Sequence, residues 1–510
     1  MRLSPRLVPS WPKLAWVARF SGGAETIEVL HGPMVETAED WCVEAVWAGE
    51  FTEGDFDRTD LVFGSGIRCR DKKVTLVSSA STVDRLWHAH SSGFWYVSNS
   101  LPALLVVARL SLRDDYPDYS WDMRTIDEGL EHYKRCFPTT SEDVHLVYFN
   151  NLIWDGLRLE ECEKPDPSPT FNTFEDYHGF LVRSMERLGK NLADPARRFG
   201  IKTLVSISSG YDSPTAAVLS RHAGCDRAAT FKTATSLLRR PDSGEAIAKR
   251  LGLACLSYPR VAEHYPHEES VWAVIGRPGV LNWTLFDFPE PLCLFFTGSQ
   301  GGTVWDRVQR VLLGAPVFSS ESYWSLGICE FRLLKGLFQC PVPLFGVRHR
   351  RKIEMISFSK EMEPWTMHNA YDRPIPRRIL EEAGVPRGSF AVRKENTSHE
   401  AAFLWPYSPE SQARFRCYLR SRGARALSPF AASIIRCLAH FANLLQMNVL
   451  GKLGFKRRLR PWRKARSQSL LFQWANSELK AMYQEGLKSL GYVTRGGQAP
   501  MQAGANAGNP

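Results

Sequence analysis

The 510 residues are 44% hydrophobic and 12% aromatic, enough for several buried cores, so two or three domains are expected and a small disulfide scaffold is excluded. The 11 cysteines form no Cys-x-x-Cys pair and no Cys/His cluster at metal-ligand spacing, no apolar run is long enough to span a bilayer, and the opening MRLSPRLVPSWPKLAWVARF lacks a signal-peptide core. These features lead to the expectation of a cytoplasmic protein with reduced thiols. The net charge of +10 is unevenly spread: residues 411–477 carry fourteen Lys or Arg and no Asp or Glu, so the rest of the chain is net −4.

In chain order, VTLVS at 74–78 and FWYVS at 94–98 are rich in β-branched and aromatic residues, with turn-forming HAHSSG just before the second, so a hairpin-rich β region is expected. The polar, proline-bearing EECEKPDPSPTFN at 160–172 reads as a linker. Beyond it Phe174, Tyr177, Leu181, Met185 and Leu188 recur at helical spacing, with Thr173 available as the cap. Strand-like IKTLVSI (201–207), AATF (228–231), ACLSY (254–258) and LCLFFT (292–297) then alternate with helical 214–222 and 243–251, which predicts a parallel α/β sheet covered on both faces. The basic stretch 411–477 is either a solvated helical face or a surface for an acidic partner protein or an anionic surface; with no nucleic-acid motif beside it, nucleic acid is not the expected partner. The last residues, RGGQAPMQAGANAGNP, have the composition of a disordered tail. His264 and His267 have HxxH spacing, but Pro266 between them breaks helical register, so no metal site is expected there.

SSGYDS at 208–213 sits where a buried strand hands over to a helix, the crevice position at which α/β sheets place ligands. Gly210 allows a tight turn, the small serines let backbone N–H groups approach an anion, Ser213 can cap the helix and Pro214 can occupy its first position. Asp212 repels bare phosphate and suits a magnesium ion that phosphates share. On its own the hexapeptide fits an ordinary turn as well as a phosphate cradle.

SSGYDS resembles the pyrophosphate loop of the ATP-pyrophosphatase superfamily, and its surroundings are similar to the asparagine synthetase and β-lactam synthetase branch. ATFKT at 229–233 lies where that family holds adenine, and PDSGEAIAKRLGL at 241–253 is similar to its Asp-x-x-x-Ala helix. FFTGSQGGTVWD at 295–306 resembles its second Gly-rich magnesium loop, EFR at 330–332 its Glu-x-Arg element, and Lys394 lies where it places a late catalytic lysine. Residues 75–105 look like its N-terminal glutaminase domain, so the resemblance spans roughly 60–405.

The fold this implies is an N-terminal Ntn-hydrolase-like α+β sandwich (1–160), a parallel-sheet α/β/α synthetase domain with a PP-loop (173–405), a basic helical C-terminal extension (406–494) and a disordered tail (495–510). The implied activity is ATP-dependent adenylation of a carboxylate and transfer of the acyl group to ammonia or an amine. The implied ATP contacts are Ser206, Ser208, Ser209, Gly210, Tyr211, Asp212, Ser213, Phe231, Gly298 and Gly301, with Asp212 on Mg2+. Lys394 would stabilise charge on the phosphates, Glu330 orient or deprotonate the amine, and Arg332 bind the substrate carboxylate. YDRPIPRRILEEAGVPR at 371–387 either shapes the acyl pocket or caps the helical lobe.

Two departures from the family bear on this. A glutamine-hydrolysing member needs cysteine as its mature first residue, whereas position 2 is Arg2 and the first cysteine is Cys42, so no glutaminase activity is expected. Family members usually carry an acidic residue at the position of Gly302 or Thr303, and Asp306 is displaced from it. The competing expectations are a nucleotide-binding homologue with a binding or regulatory role and, from the basic segment, a PP-loop enzyme acting on RNA.

Overall fold

The computed structural model describes all residues except 168, 234–240, 261–262, 275–277, 308–327, 370, 392–404, 425–427, 429, 432, 436, 439–440, 442–465 and 492–510. Lys394, the expected tail and most of the densest basic run therefore lie outside the described residues.

Residues 2–162 build two sheets. One has seven strands, in the spatial order Arg2–Leu7, Thr26–His31, Trp16–Phe20, Phe94–Ser98, Leu86–Ser91, Val144–Val147 and Cys136–Phe137. The other has six, in the order Leu159–Cys162, Asn151–Trp154, Lys73–Val77, Val62–Arg70, Trp41–Trp47 and Glu36–Thr37. Alternation along each strand sends one set of side chains inward. Trp16, Ala18 and Val97 of the first sheet thereby share a buried core with Cys42, Ile67, Leu76 and Trp154 of the second.

Two local expectations are corrected here. The 74–78 and 94–98 segments fall in different sheets, and the hairpin partner of Phe94–Ser98 is Leu86–Ser91. Most of HAHSSG is therefore strand. Only Ser92 and Gly93 turn, with φ of 51° and 79°, as a two-residue hairpin requires. The expected linker likewise begins inside the sandwich: Leu159–Cys162 pairs with Asn151–Trp154, and buried Lys164 donates through Nζ to Ser78 O (2.7 Å) and Asn151 Oδ1 (2.6 Å).

The helix Phe174–Leu192 opens with a capping box in which Thr173 and Asp176 satisfy each other's backbone N–H, and it buries Tyr177, Leu181, Met185 and Leu188. A five-stranded parallel sheet follows, ordered Ala254–Tyr258, Arg227–Phe231, Ile201–Ser206, Leu292–Thr297 and Leu337–Pro341. Its central strands are buried on both faces, which is why they read as continuous apolar runs. Val205 and Phe296 pack toward the helices Phe174–Leu192 and Asp212–Ser220, while Leu204 and Phe295 pack toward Phe286, Phe288 and Phe331.

The helix Arg466–Ser489 was expected within a separate extension, yet it packs against Leu101–Val107 of the N-terminal half and against Glu268–Trp272. Gln473 Nε2 donates to Arg113 O (2.9 Å), Asn476 Nδ2 to Ala273 O (3.2 Å), and Trp11 Nε1 to Tyr483 O (3.1 Å). Among the described residues no helix is long and apolar enough to cross a membrane.

Candidate functional site

Chain order in the parallel sheet reverses between Ile201–Ser206 and Leu292–Thr297, so the connections leaving their carboxyl ends diverge and open a crevice. SSGYDS leaves the first of these strands and Gly298–Gln300 the second. The two loops meet at Asp212. A Cβ on Gly298 would lie 2.4 Å from the Asp212 carbonyl carbon and from Ser213 N, and one on Gly301 would lie 2.2 Å from Asp212 Cγ. Both glycines are thus demanded by close approach to the helix start.

Gly210 is different. Its φ is not positive, and a Cβ there would meet only Tyr371 Oη at 3.5 Å and Ser208 Oγ at 3.6 Å, ordinary contact distances. The expected tight-turn role is not required by the fold, and what the missing side chain leaves is open backbone in the crevice.

Internal hydrogen bonds hold the loop's shape. Ser208 N donates to Ser213 Oγ (2.9 Å), the Ser208 and Ser213 hydroxyls are 2.8 Å apart, and Gly210 N donates to Ser208 Oγ (3.3 Å). Ser209 Oγ donates to Asp242 Oδ1 (2.8 Å), tying the loop to the segment before Glu245–Arg250. The helix begins at Asp212 with Tyr211 as its cap residue, so Ser213 lies in the first turn and bends back onto the loop instead of capping, and Pro214 is third rather than first. Ser206 ends the strand, and Ser206, Ser208, Ser209, Gly210, Asp212 and Ser213 are half-buried.

Tyr211 points away from the crevice surface. It is buried, edge-on to Tyr371 (centroids 4.9 Å) and to Phe390 (5.8 Å), and its hydroxyl accepts from Arg377 Nη2. Its side chain pins the loop to residues 371–390, so only its backbone remains for a ligand. Phe231 ends its strand with its ring stacked on Phe286 (4.7 Å) and with Arg260 4.5 Å from the ring centroid.

The segment 371–387 supplies a residue that sequence reasoning missed. Arg373 is buried, pairs through Nη1 with Asp212 Oδ2, and reaches Asp306 Oδ2 through Nη2 at 3.8 Å. Burial alone pulls an arginine down, but Asp212 and the neighbouring acidic groups outweigh it and hold this guanidinium above its usual range. The density of Arg and Pro in YDRPIPRR was the available signal, though nothing in it told which arginine faces the loop.

A resident magnesium ion on Asp212 would have to share that carboxylate with the guanidinium, and the second carboxylate nearby is reached by the same Arg373. Among the described residues no group of three or more His, Cys, Asp and Glu could hold a metal ion. As the side chains stand, they do not fit the metal role expected of Asp212: a fixed cation already compensates it.

Glu330 and Arg332 are brought to a different place. Both lie on the helix Cys329–Lys335 and are buried against the N-terminal sandwich. Arg332 donates to Glu44 through Nη1 (2.7 Å) and Nη2 (3.0 Å) and to Asp84 Oδ1 through Nε (2.6 Å). Glu330 accepts from Ser100 Oγ (2.8 Å) and Leu101 N (3.3 Å) at the start of the helix Leu101–Val107. Desolvation pushes the Glu330 carboxyl up to about 7, Ser100 and Arg85 pulling the other way. The bidentate geometry expected of Arg332 is present, but its carboxylate partner is Glu44 of the same chain. The pair clamps the two halves together, and the roles expected for it in binding substrate and amine are not met in this arrangement.

Lys394 is outside the described residues; Ala391, the last described residue before it, donates from N to Ser209 O at 2.7 Å. Comparison of the chain with family models and with curated protein sequences finds no match to either.

Proposed function

We propose that the chain is an ATP-dependent, AMP-forming ligase related to asparagine synthetase, in which the parallel sheet is a PP-loop synthetase domain and the sandwich a glutaminase-like Ntn domain. The observation that carries this reading is the convergence of SSGYDS and GSQGG on Asp212 at the switch point, with Gly210 kept free of a side chain that the fold itself would tolerate. In the proposed reaction a carboxylate oxygen attacks the α-phosphorus of ATP and pyrophosphate leaves into the 208–213 loop. Ammonia or an amine then attacks the acyl carbon, AMP departs, and the nitrogen loses a proton to give the amide. The chain's contribution is electrostatic and positional: backbone N–H groups, the start of the helix Asp212–Ser220 and Lys394 would gather the phosphate charge. No step is assigned to magnesium. Cys42, the first cysteine of the sequence, is buried inside Trp41–Trp47, and burial pushes its thiol far above the range of a nucleophile.

The test is carboxylate-dependent exchange of labelled pyrophosphate into ATP across a broad panel of acids. Exchange with at least one acid, abolished in Asp212→Asn, is the expected result; ATP binding with no exchange on any acid would overturn it. The second reading, a nucleotide-binding homologue without turnover, draws on the Arg373–Asp212 pair, which neutralises the residue a metal-dependent site needs. Tight ATP binding by calorimetry without exchange is the outcome that favours it.

A further inference from the structure

Asp212 opens the helix Asp212–Ser220 with a carboxylate beside the loop that would receive phosphate, and an uncompensated carboxylate there repels it. The fold answers with a guanidinium. Arg373, at the start of the helix Pro374–Glu382, is 4% exposed, pairs through Nη1 with Asp212 Oδ2 and reaches Asp306 Oδ2 through Nη2 at 3.8 Å. Its Nε is buried with no hydrogen-bond partner among the described residues, so one donor of the fork is unused.

Neighbouring contacts place this guanidinium at the loop. Arg373 Cζ lies 5.1 Å from the centroid of the Tyr371 ring, and Tyr371 Oη is 3.5 Å from where a Cβ on Gly210 would stand. The guanidinium, the tyrosine and the open backbone of Gly210 thus border one stretch of 208–213. Other carboxylates nearby are matched in the same way: Asp242, which accepts from Ser209 Oγ, has Arg260 at 3.6 Å, and Asp372 has Arg307 at 3.7 Å. A divalent ion on Asp212 would have to displace a buried guanidinium or share a carboxylate with it, and like charge opposes both. An arginine keeps its charge at any ordinary pH and its fork suits oxyanions, so a built-in cation can do at this loop what a divalent ion does elsewhere.

We propose that Arg373 is the positioning cation of the 208–213 loop: by neutralising Asp212 it lets the loop take phosphate groups without a divalent metal on the chain. The identity of the ligand as a nucleotide rests on the ligase reading, so binding and turnover are measured separately.

Calorimetry of pyrophosphate and of ATP with the full-length protein, in EDTA and in Mg2+, tests it. Wild-type affinities in the two media should agree within about threefold. Arg373→Met should weaken binding in EDTA at least about tenfold, and Mn2+ should restore it, a rescue that a purely structural loss does not permit. Arg373→Lys keeps the charge and should stay within about threefold of wild type. Should Arg373→Met misfold, Asp212→Asn reads the same interaction from its other side: with the carboxylate neutral and the guanidinium kept, it should bind pyrophosphate in EDTA at least as tightly as wild type. Wild-type binding that needs Mg2+, wild-type affinity of Arg373→Met in EDTA, or loss of pyrophosphate binding in Asp212→Asn would each overturn the proposal. The first of these, with pyrophosphate exchange still seen in Mg2+, would leave the ligase reading standing. Binding in EDTA lost in Arg373→Met, with no exchange on any acid, would uphold Arg373 and remove the ligase. Binding of neither ligand in either medium would overturn both.

Discussion

Replacing Gly210 and Gly301 separately by alanine separates a glycine kept for the fold from one kept for a ligand. In Gly301→Ala the new methyl falls 2.2 Å from Asp212 Cγ, a contact that only displacement of Asp212 or of the second loop can relieve. Such overpacking costs roughly 1–3 kcal/mol. In Gly210→Ala the methyl lies 3.5 Å or more from every neighbour on a backbone with negative φ, so the loss of unfolded-state freedom alone stabilises the chain by about 0.4–1 kcal/mol. If phosphate approaches that backbone, the same methyl intrudes on it at roughly 1–3 kcal/mol of binding, or roughly 5- to 150-fold in exchange rate. Thermal unfolding and pyrophosphate exchange on both variants are the measurements. Gly210→Ala should match or exceed wild-type stability and lose exchange, and Gly301→Ala should lose both. A Gly210→Ala protein that exchanges at the wild-type rate would refute the claim that ligand meets the loop there.

Arg332→Met should destabilise the fold by roughly 3–5 kcal/mol, because Glu44 and Asp84 would remain buried without their cation, and denaturant unfolding reads this directly. The raised carboxyl of Glu330 makes the folded state bind a proton that the unfolded state has already released between about pH 4.5 and about pH 7. Its contribution is therefore full below the lower value and lost as pH rises through the upper one. Glu330→Gln should flatten that part of the stability–pH profile, and an unchanged slope would dismiss Glu330 as its source. Arg373→Met removes the cation between Asp212 and Asp306 and should let the chain bind Mn2+ without nucleotide, seen as loss of the free-ion electron paramagnetic resonance signal; wild-type protein should leave the signal intact.

Apolar pattern made the parallel sheet legible. ACLSY and LCLFFT match Ala254–Tyr258 and Leu292–Thr297 to the residue, because strands buried on both faces announce themselves as short uninterrupted apolar runs. The sandwich was less legible. HAHSSG reads as a turn from its composition, yet its first four residues are strand, and a turn as short as Ser92–Gly93 hides inside a longer polar string. At the site, the serines and Asp212 could be read from the strand-to-helix handover, but their partners could not. Arg373 is 161 positions away in sequence and finds Asp212 only through the fold. Glu330 and Arg332 misled for a related reason: a Glu-x-Arg pair suited to binding a substrate is equally suited to closing a seam between two halves of one molecule.

The helix Arg466–Ser489 has a consequence for how the protein is made. It covers the helix Leu101–Val107 on the outside of a sandwich synthesised hundreds of residues earlier. Until its residues leave the ribosome, Leu104 and Leu105 lack part of their final surroundings, and the whole parallel sheet must form in between. Closure over such a separation is slow, and the uncovered half is open to aggregation meanwhile. Nascent chains arrested before residue 466 should therefore engage chaperones, and a separately expressed 466–491 peptide should release them.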